Sequence, residues 1–277
     1  MTSADSIPPN SVRLNVAGFE VAVAPTDAEL HGPIRDLFHL FAEVLDTMPV
    51  TRRAVVGLAG VPGSGKSTLA TLLAYLSTRR ERPIPTAAVS IDGWHWPNET
   101  LDTMTTTDAA GRSVPMRTRK GSPGSYDVAG IAQAIATLRE AHMPARLPVY
   151  DRRIHAPVPG AQVIAPGVRV ILLEGNYVLS RDELWRPVAE QLDMALYLDT
   201  DAERCREAVI RRHILGGLSR AEAEQKYETN DRLNAEFILA SRRFADVVIH
   251  TDAERHLAGI EVLRRRSRGR GINPLFR

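Results

Sequence analysis

The run Gly60-Val61-Pro62-Gly63-Ser64-Gly65-Lys66-Ser67-Thr68 constrains this chain more than any other segment. It satisfies G-x-x-x-x-G-K-[ST] in full, with an apolar strand (Ala54–Leu58) entering and a helix bearing Leu69, Leu72 and Leu73 leaving. Its glycines let successive backbone N–H groups turn inward around an anion, and the following helix N-terminus adds positive potential. Lys66 then reaches the β- and γ-phosphates of a nucleotide, and the Ser67 hydroxyl holds Mg²⁺. Residues 60–68 are therefore the nucleotide-binding candidates.

The remaining pattern supports this reading. From Arg53 onward, short apolar runs alternate with amphipathic segments. Strands are expected at Ala54–Leu58, Ala87–Ile91, Val168–Leu173, Met194–Leu198 and Asp246–His250. Helices are expected at Ser67–Leu76, Val128–Ala141, Glu183–Gln191, Ala202–Leu215 and Arg220–Ala240. This alternation predicts an α/β domain around a mainly parallel sheet. Capping boxes are expected at Thr200 with Glu203 and at Ser219 with Glu222, with Gly216 and Gly217 as a helix stop.

Before this domain, 12–23 reads as a hairpin and Asp36–Leu45 as a helix, after a polar arm at 1–10. The organisation expected is an extension (1–50) packed on a main domain (51–277) that ends in a basic tail.

The 277 residues include 44% hydrophobic and 25% charged, a globular composition. Net charge is only +2, so a polyanion partner for the whole chain is not expected. Arg264, Arg265, Arg266, Arg268 and Arg270 crowd the C-terminus, but a short basic end on a near-neutral body reads as a solvated tail. Cys205 is the single cysteine, which fits a reducing cytoplasm. No apolar run approaches the ~18–20 residues of a membrane span, and no secretory leader is apparent. Expected partners are a small molecule and, through the N-terminal hairpin edge, a second copy of the chain; neither nucleic acid nor membrane is expected.

Two carboxylates end strands, in Val89-Ser-Ile-Asp92 and Val170-Ile-Leu-Leu-Glu174. Ligands bind beyond the C-terminal ends of strands in open α/β sheets, so both belong beside the phosphate loop. One can orient a metal; the other can take a proton from an attacking hydroxyl. No N-K-x-D base-reading motif occurs, and Asp127 reads as a helix N-cap.

GVPGSGKST (60–68), SIDGWHWPN (90–98), RKGSPGSYD (119–127), PVYD (148–151) and LLEGNYVL (172–179) together resemble the phosphoribulokinase, uridine kinase and pantothenate kinase superfamily. Glu174-Gly-Asn-Tyr and Asn230-Asp-Arg-Leu-Asn234-Ala look most like its bacterial nucleoside/nucleotide kinase-like or fructose-transport-associated sugar kinase branch. His155 is followed by Ala-Pro where uridine kinases have Ser-Arg. The resemblance implies a P-loop NTPase three-layer sandwich with a helical lid. It implies ATP, Mg²⁺ and transfer of the γ-phosphoryl group to a primary alcohol.

By motif, Asp92 carries over as general base, Lys66 as phosphate lysine, and Glu174 with Ser67 as metal-associated groups. Arg211 is the first lid cation and Arg212 the second. Trp94, His95, Tyr150, His155, Asn176, Asn230 and Asn234 are the acceptor-side candidates. Tyr227, Asn230 and Asn234 also share one stripe of a helix, suited to hydroxyl partners. The long segment from Thr105 through Arg112, Arg117, Arg119 and Lys120 reads as a substrate cover. The expected acceptor is a sugar-like alcohol; a nucleoside or a pantothenate-like alcohol would present a hydroxyl to the same base. A regulatory P-loop ATPase is the competing class.

Overall fold

The structure is a computed structural model and describes residues 11–16, 18–108 and 111–265. The arm at 1–10 and Arg266, Arg268 and Arg270 lie outside the described residues. The chain opens with a hairpin of β1 (Val12–Val16) and β2 (Phe19–Val23), then α1 (Asp27–His31) and α2 (Pro33–Leu45). Thr26 and Glu29 form a capping box at α1, and Pro33 starts α2 where its missing N–H costs nothing.

The main body follows as β3 (Ala54–Ala59), α3 (Lys66–Leu76), β4 (Thr86–Ser90) and α4 (Asn98–Thr103). A small hairpin of β5 (Thr105–Thr107) and β6 (Ser113–Pro115) precedes α5 (Val128–Leu138). A second hairpin, β7 (Ala145–Asp151) and β8 (Ala156–Ile164), leads to β9 (Val170–Glu174), α6 (Arg186–Ala189) and β10 (Met194–Asp199). The chain then runs through α7 (Ala202–Leu215), α8 (Arg220–Lys226) and α9 (Arg232–Ser241) to β11 (Val247–Thr251) and β12 (Leu257–Val262).

The central sheet has the order β12-β11-β10-β3-β9-β4. Five of these strands are parallel, and β12 pairs antiparallel at one edge. Every residue of β3 and β9 is buried, as expected where helices cover both faces. Alternate residues of β3 feed different layers: Val55 joins Ile131 and Ile135 of α5, whereas Val56 and Leu58 join Leu69 and Leu73 of α3. Leu37, Phe38 and Phe41 of α2 belong to that second layer, so the N-terminal segment shares the core of the sheet.

Arg53, at the foot of β3, is fully buried. Its guanidinium donates to the carbonyls of Leu138, Glu140, Ala141, Met143, Ala165 and Val168, satisfying carbonyls left open where α5 ends.

Several elements depart from the sequence expectations. Glu183–Gln191 yields only the single turn of α6, because the Asp182 carboxylate accepts from the N–H of Leu184 and Trp185 and holds the preceding residues in a turn. The stretch Arg220–Ala240 is not one α-helix: a π-helical turn at Tyr227–Asp231 separates α8 from α9. Asp201, not Thr200, caps α7, and the Thr200 hydroxyl instead donates to the Ser64 carbonyl at 3.1 Å. Ser219 and Glu222 form their capping box, and Asp127 caps α5. The unforeseen β7–β8 hairpin was masked by Pro148, Pro157 and Pro159, and Pro148 falls at a break in its register.

Candidate active site

The phosphate loop joins β3 to α3 at the centre of the sheet. Gly63 and Gly65 have φ of +84° and +97°, a region that disfavours side chains. A Cβ on Gly63 would also lie 2.4 Å from the Cys205 carbonyl oxygen, so α7 is packed directly on the loop. Lys66 opens α3. Burial pulls its ammonium below the ordinary lysine range, while Glu174 and Asp92 support the charge.

Glu174 ends β9 beside β3 and is buried. Burial raises its carboxyl above the ordinary range against the opposing charge of Lys66, and the Ser67 and Ser90 hydroxyls hydrogen-bond to it. Ser67 and Glu174 thus bring hard oxygen donors into one small volume beside the loop. That donor set fits Mg²⁺, which prefers few protein oxygens and keeps several waters.

Asp92 lies just past β4, in the short 3₁₀ turn Ile91–Trp94, where the Ser90 hydroxyl accepts from its N–H at 3.3 Å. Burial pushes its carboxyl up, but His95, Arg152, Lys66 and Arg212 outweigh that and hold it below the ordinary range. The Tyr126 hydroxyl, whose own pKa burial raises, donates to Asp92 Oδ1 at 3.5 Å. Arg152 lies 3.6 Å from Asp92 Oδ2. His95 meets the Asp92 carbonyl through Nδ1 at 2.9 Å and packs against the rings of Tyr126 and Tyr150, with centroids 4.0 and 5.2 Å away. Burial lowers its pKa, against the opposing charge of Asp92.

The lid helix α7 contributes Arg212 to this cluster. The Arg212 charge acts on both Lys66 and Asp92. Arg211 and Arg212 are both exposed, but Arg211 is not among the charges acting on those two groups. One residue along a helix is a rotation of about 100°, enough to aim the two side chains at different neighbours. Arg206 is engaged by Glu203, Glu207 and Glu228 on the outer face.

The β7–β8 hairpin forms the opposite wall. It approaches the Asp92 turn so closely that a Cβ on Gly93 would lie 2.3 Å from the Pro148 carbonyl oxygen. Tyr150 is half-buried on this wall. The His155 side chain is exposed at the turn, with φ of +51°; only its carbonyl faces inward, accepting from Lys120 Nζ at 2.9 Å. Trp94 packs in the apolar core, not on an open wall. Asn176 is half-buried after β9.

Asn230 and Asn234 are both buried, so their stripe is not an outer face. Asn230 Nδ2 donates to the Lys120 carbonyl at 3.4 Å, while its Oδ1 is buried without a partner among the described residues. The cover segment is built from α4, the β5–β6 hairpin and a 3₁₀ turn, not an open loop. Arg119 ties it to the Thr229 carbonyl, and the Tyr177 hydroxyl donates to the Gly121 carbonyl.

Parallel strands, a phosphate loop, two carboxylates at strand ends and an arginine lid are the parts of a phosphoryl-transfer site. Residues 55–258 match the Phosphoribulokinase / Uridine kinase family. The chain belongs to this family.

It is 32% identical over 244 residues to the uncharacterized protein YggC of Escherichia coli (strain K12), a match covering 88% of this chain and 96% of that one. It is 28% identical over 214 residues to a provisionally named uridine kinase of Schizosaccharomyces pombe, covering 76% of this chain and 88% of the relative. Among solved structures, a provisionally named fructose transport system kinase from Silicibacter sp. TM1040 is similar, with a TM-score of 0.65 and 29% identity, covering 75% of this chain and 94% of that one.

Within this family frame, three site residues escaped the sequence reading. Arg152 directly follows the Tyr150-Asp151 pair and could have been weighed with it; Asp151 itself is occupied by Arg153 at 2.7 Å. Tyr126 lay within the RKGSPGSYD run (119–127) but was given no role there. Arg255 had no signal: it sits at φ +71° in the β11–β12 turn, and its guanidinium donates to the Gly63 carbonyl.

Proposed function

We propose that this chain transfers the γ-phosphoryl group of Mg·ATP to an alcohol, with Asp92 as general base. The observation that carries the reading is one electrostatic cluster at the C-terminal edge of the parallel sheet, in which Lys66 interacts with Asp92, Glu174 and Arg212, and Arg212 with Asp92. Residues 60–68 cradle the phosphates, and Lys66 and Arg212 neutralise charge that builds on the transferring group. Ser67 and Glu174 would hold Mg²⁺, which neutralises β- and γ-phosphate charge when bound. The acceptor oxygen forms a bond to the γ-phosphorus as the bond from that phosphorus to the β-bridging oxygen breaks. The hydroxyl proton passes to Asp92, and ADP leaves.

Asp92 suits this role because it stays ionised at neutral pH within reach of Arg152 and Tyr126. The Tyr126 phenol, kept protonated, orients the carboxylate it donates to. We read the acceptor as sugar-like. The buried amides of Asn230 and Asn234 favour hydroxyl partners, and the fructose transport system kinase name of the Silicibacter relative agrees. A coupled ADP-release assay over a panel of alcohols tests the proposal. Acceptor-dependent release supports a kinase; release that ignores every acceptor points to an ATPase and overturns it.

A further inference from the structure

The acceptor side of the site holds two cations, Lys120 and Arg152, that no carboxylate among the described residues engages at short range. Lys120 Nζ is half-buried and donates to two neutral oxygens, Asn98 Oδ1 at 2.8 Å and the His155 carbonyl at 2.9 Å. Asp92 and Glu99 support its charge only from farther off. Its ammonium lies 5.1 Å from the centre of the Tyr150 ring.

Arg152, two residues beyond Tyr150 on the same hairpin, has a single ion pair among the described residues, to Asp92 at 3.6 Å. That is long for a charge-assisted bond, which runs near 2.7–2.9 Å, so the guanidinium keeps donors free. Its side chain is only 26% exposed, too enclosed for water alone to solvate it fully. Burying cations without counter-charges is costly unless a ligand supplies them.

The cations come from two walls. Lys66 and Arg212 lie with the phosphate loop and lid, where Mg·ATP answers them. Lys120 and Arg152 come from the cover segment and hairpin and flank Asp92, and Arg152 also borders the loop side, acting on Lys66 and Arg212. Adjacent to Lys120, the buried Asn230 Oδ1 is an acceptor without a donor.

We infer that the phosphate acceptor is an anionic alcohol, a hydroxy acid or a phosphorylated polyol. Its carboxylate or phosphate is held by Lys120 and Arg152, and a neighbouring hydroxyl donates to Asn230. This rests on the kinase reading and narrows it. Arg152 also stands between Asp92 and the anionic group, so it screens the base from the acceptor's charge.

Binding and turnover together test this on the full chain. Calorimetry with a non-hydrolysable Mg·ATP analogue present compares matched probes: glycerol, glycerate and glycerol 3-phosphate, then glucose, gluconate and glucose 6-phosphate. At least one anionic probe should bind 30-fold or more tighter than its neutral partner. The carboxylate and phosphate arms tell which anion the site prefers. Lys120→Gln and Arg152→Met should each reduce that preference at least tenfold, and Arg152→Lys should restore part of it. Equal binding of neutral and anionic probes, or a preference unchanged in both charge-removing variants, overturns the inference. In the ADP-release assay, neutral alcohols turned over as well as anionic ones also overturn it while leaving the kinase reading intact. Anion binding with no acceptor-stimulated ADP release would instead sink the kinase reading.

Discussion

The carboxylate of Glu29, in the N-terminal extension, accepts a hydrogen bond from the backbone N–H of Leu257 at 2.9 Å and meets His256 Nδ1 at 3.1 Å. The residue before them, Arg255, donates to the Gly63 carbonyl of the phosphate loop. A side chain outside the main domain thus braces the turn that braces the loop. Glu29→Ala leaves that turn without its acceptor. Hydrogen bonds of this kind contribute about 1.5–3 kcal/mol, so Tm should fall by roughly 3–8 °C. KM for ATP should rise several-fold with kcat changing less. An unchanged KM would show that the brace does not reach the nucleotide.

Lys66→Ala should abolish detectable phosphoryl transfer while the chain stays folded. Lys66 is the one lysine in the loop, and Glu174 and Asp92 both support its half-buried charge. Removing a preorganised charge of this type costs about 10²–10³-fold or more in rate. Circular dichroism confirms the fold, and turnover near the native level would remove Lys66 from the site.

Asp92→Asn and Glu174→Gln should fail differently. Asn cannot take the proton, so kcat should drop about 10²–10⁴-fold with ATP-analogue binding largely kept. Gln at 174 removes a hard anionic oxygen beside Ser67, so its defect should ease as Mg²⁺ is raised. A Mg²⁺-rescued Asp92→Asn, or one with native kcat, would move the base elsewhere.

The pH dependence of stability follows from His95. Its folded pKa is lowered by burial, so the unfolded chain binds the proton more readily. Its contribution is therefore present above the unfolded value of ~6.5 and declines as pH falls from there toward the lower folded value. His95→Phe keeps a ring between Tyr126 and Tyr150 without the titration. Urea midpoints at pH 7.5 and 5.5 should differ less in the variant than in the native chain; an equal loss would place the acid sensitivity elsewhere. Asp92, held below the ordinary range, contributes stability that is lost only as pH falls below ~3.9.

Gly93→Val should separate the two walls of the site. Its side chain would enter the space occupied by the Pro148 carbonyl, which a Cβ would approach to 2.3 Å, so the β7–β8 hairpin must move away from Asp92. Acceptor KM should rise tenfold or more while ATP-analogue affinity stays within threefold. Unchanged acceptor kinetics would show that the hairpin is not the acceptor wall.

The amino-acid order alone determined the parts that depend on neighbours in sequence. Residues 60–68 specify their loop because each glycine, the lysine and the serine act where they stand in the chain. The runs around Val55, Leu172 and Leu196 specify buried parallel strands because apolar residues on both faces need cover on both sides. Asp92 and Glu174 were visible because a carboxylate at a strand end meets the loop whenever the strands are parallel and adjacent.

What only the tertiary structure decided involves residues far apart in the chain. Arg152 meets Asp92 across a hairpin that its prolines disguised, through the gap left by Gly93. Lys120, Asn98 and His155 converge although no local pattern links them. Arg212 rather than Arg211 acts on Lys66 and Asp92 because the close approach of the Cys205 carbonyl of α7 to Gly63 sets the helix rotation. Glu29 finds Leu257 across 228 residues. Contacts at that separation are selected by how whole layers pack, and a side chain's identity says what it can bind, not which distant backbone will be brought within 3 Å of it.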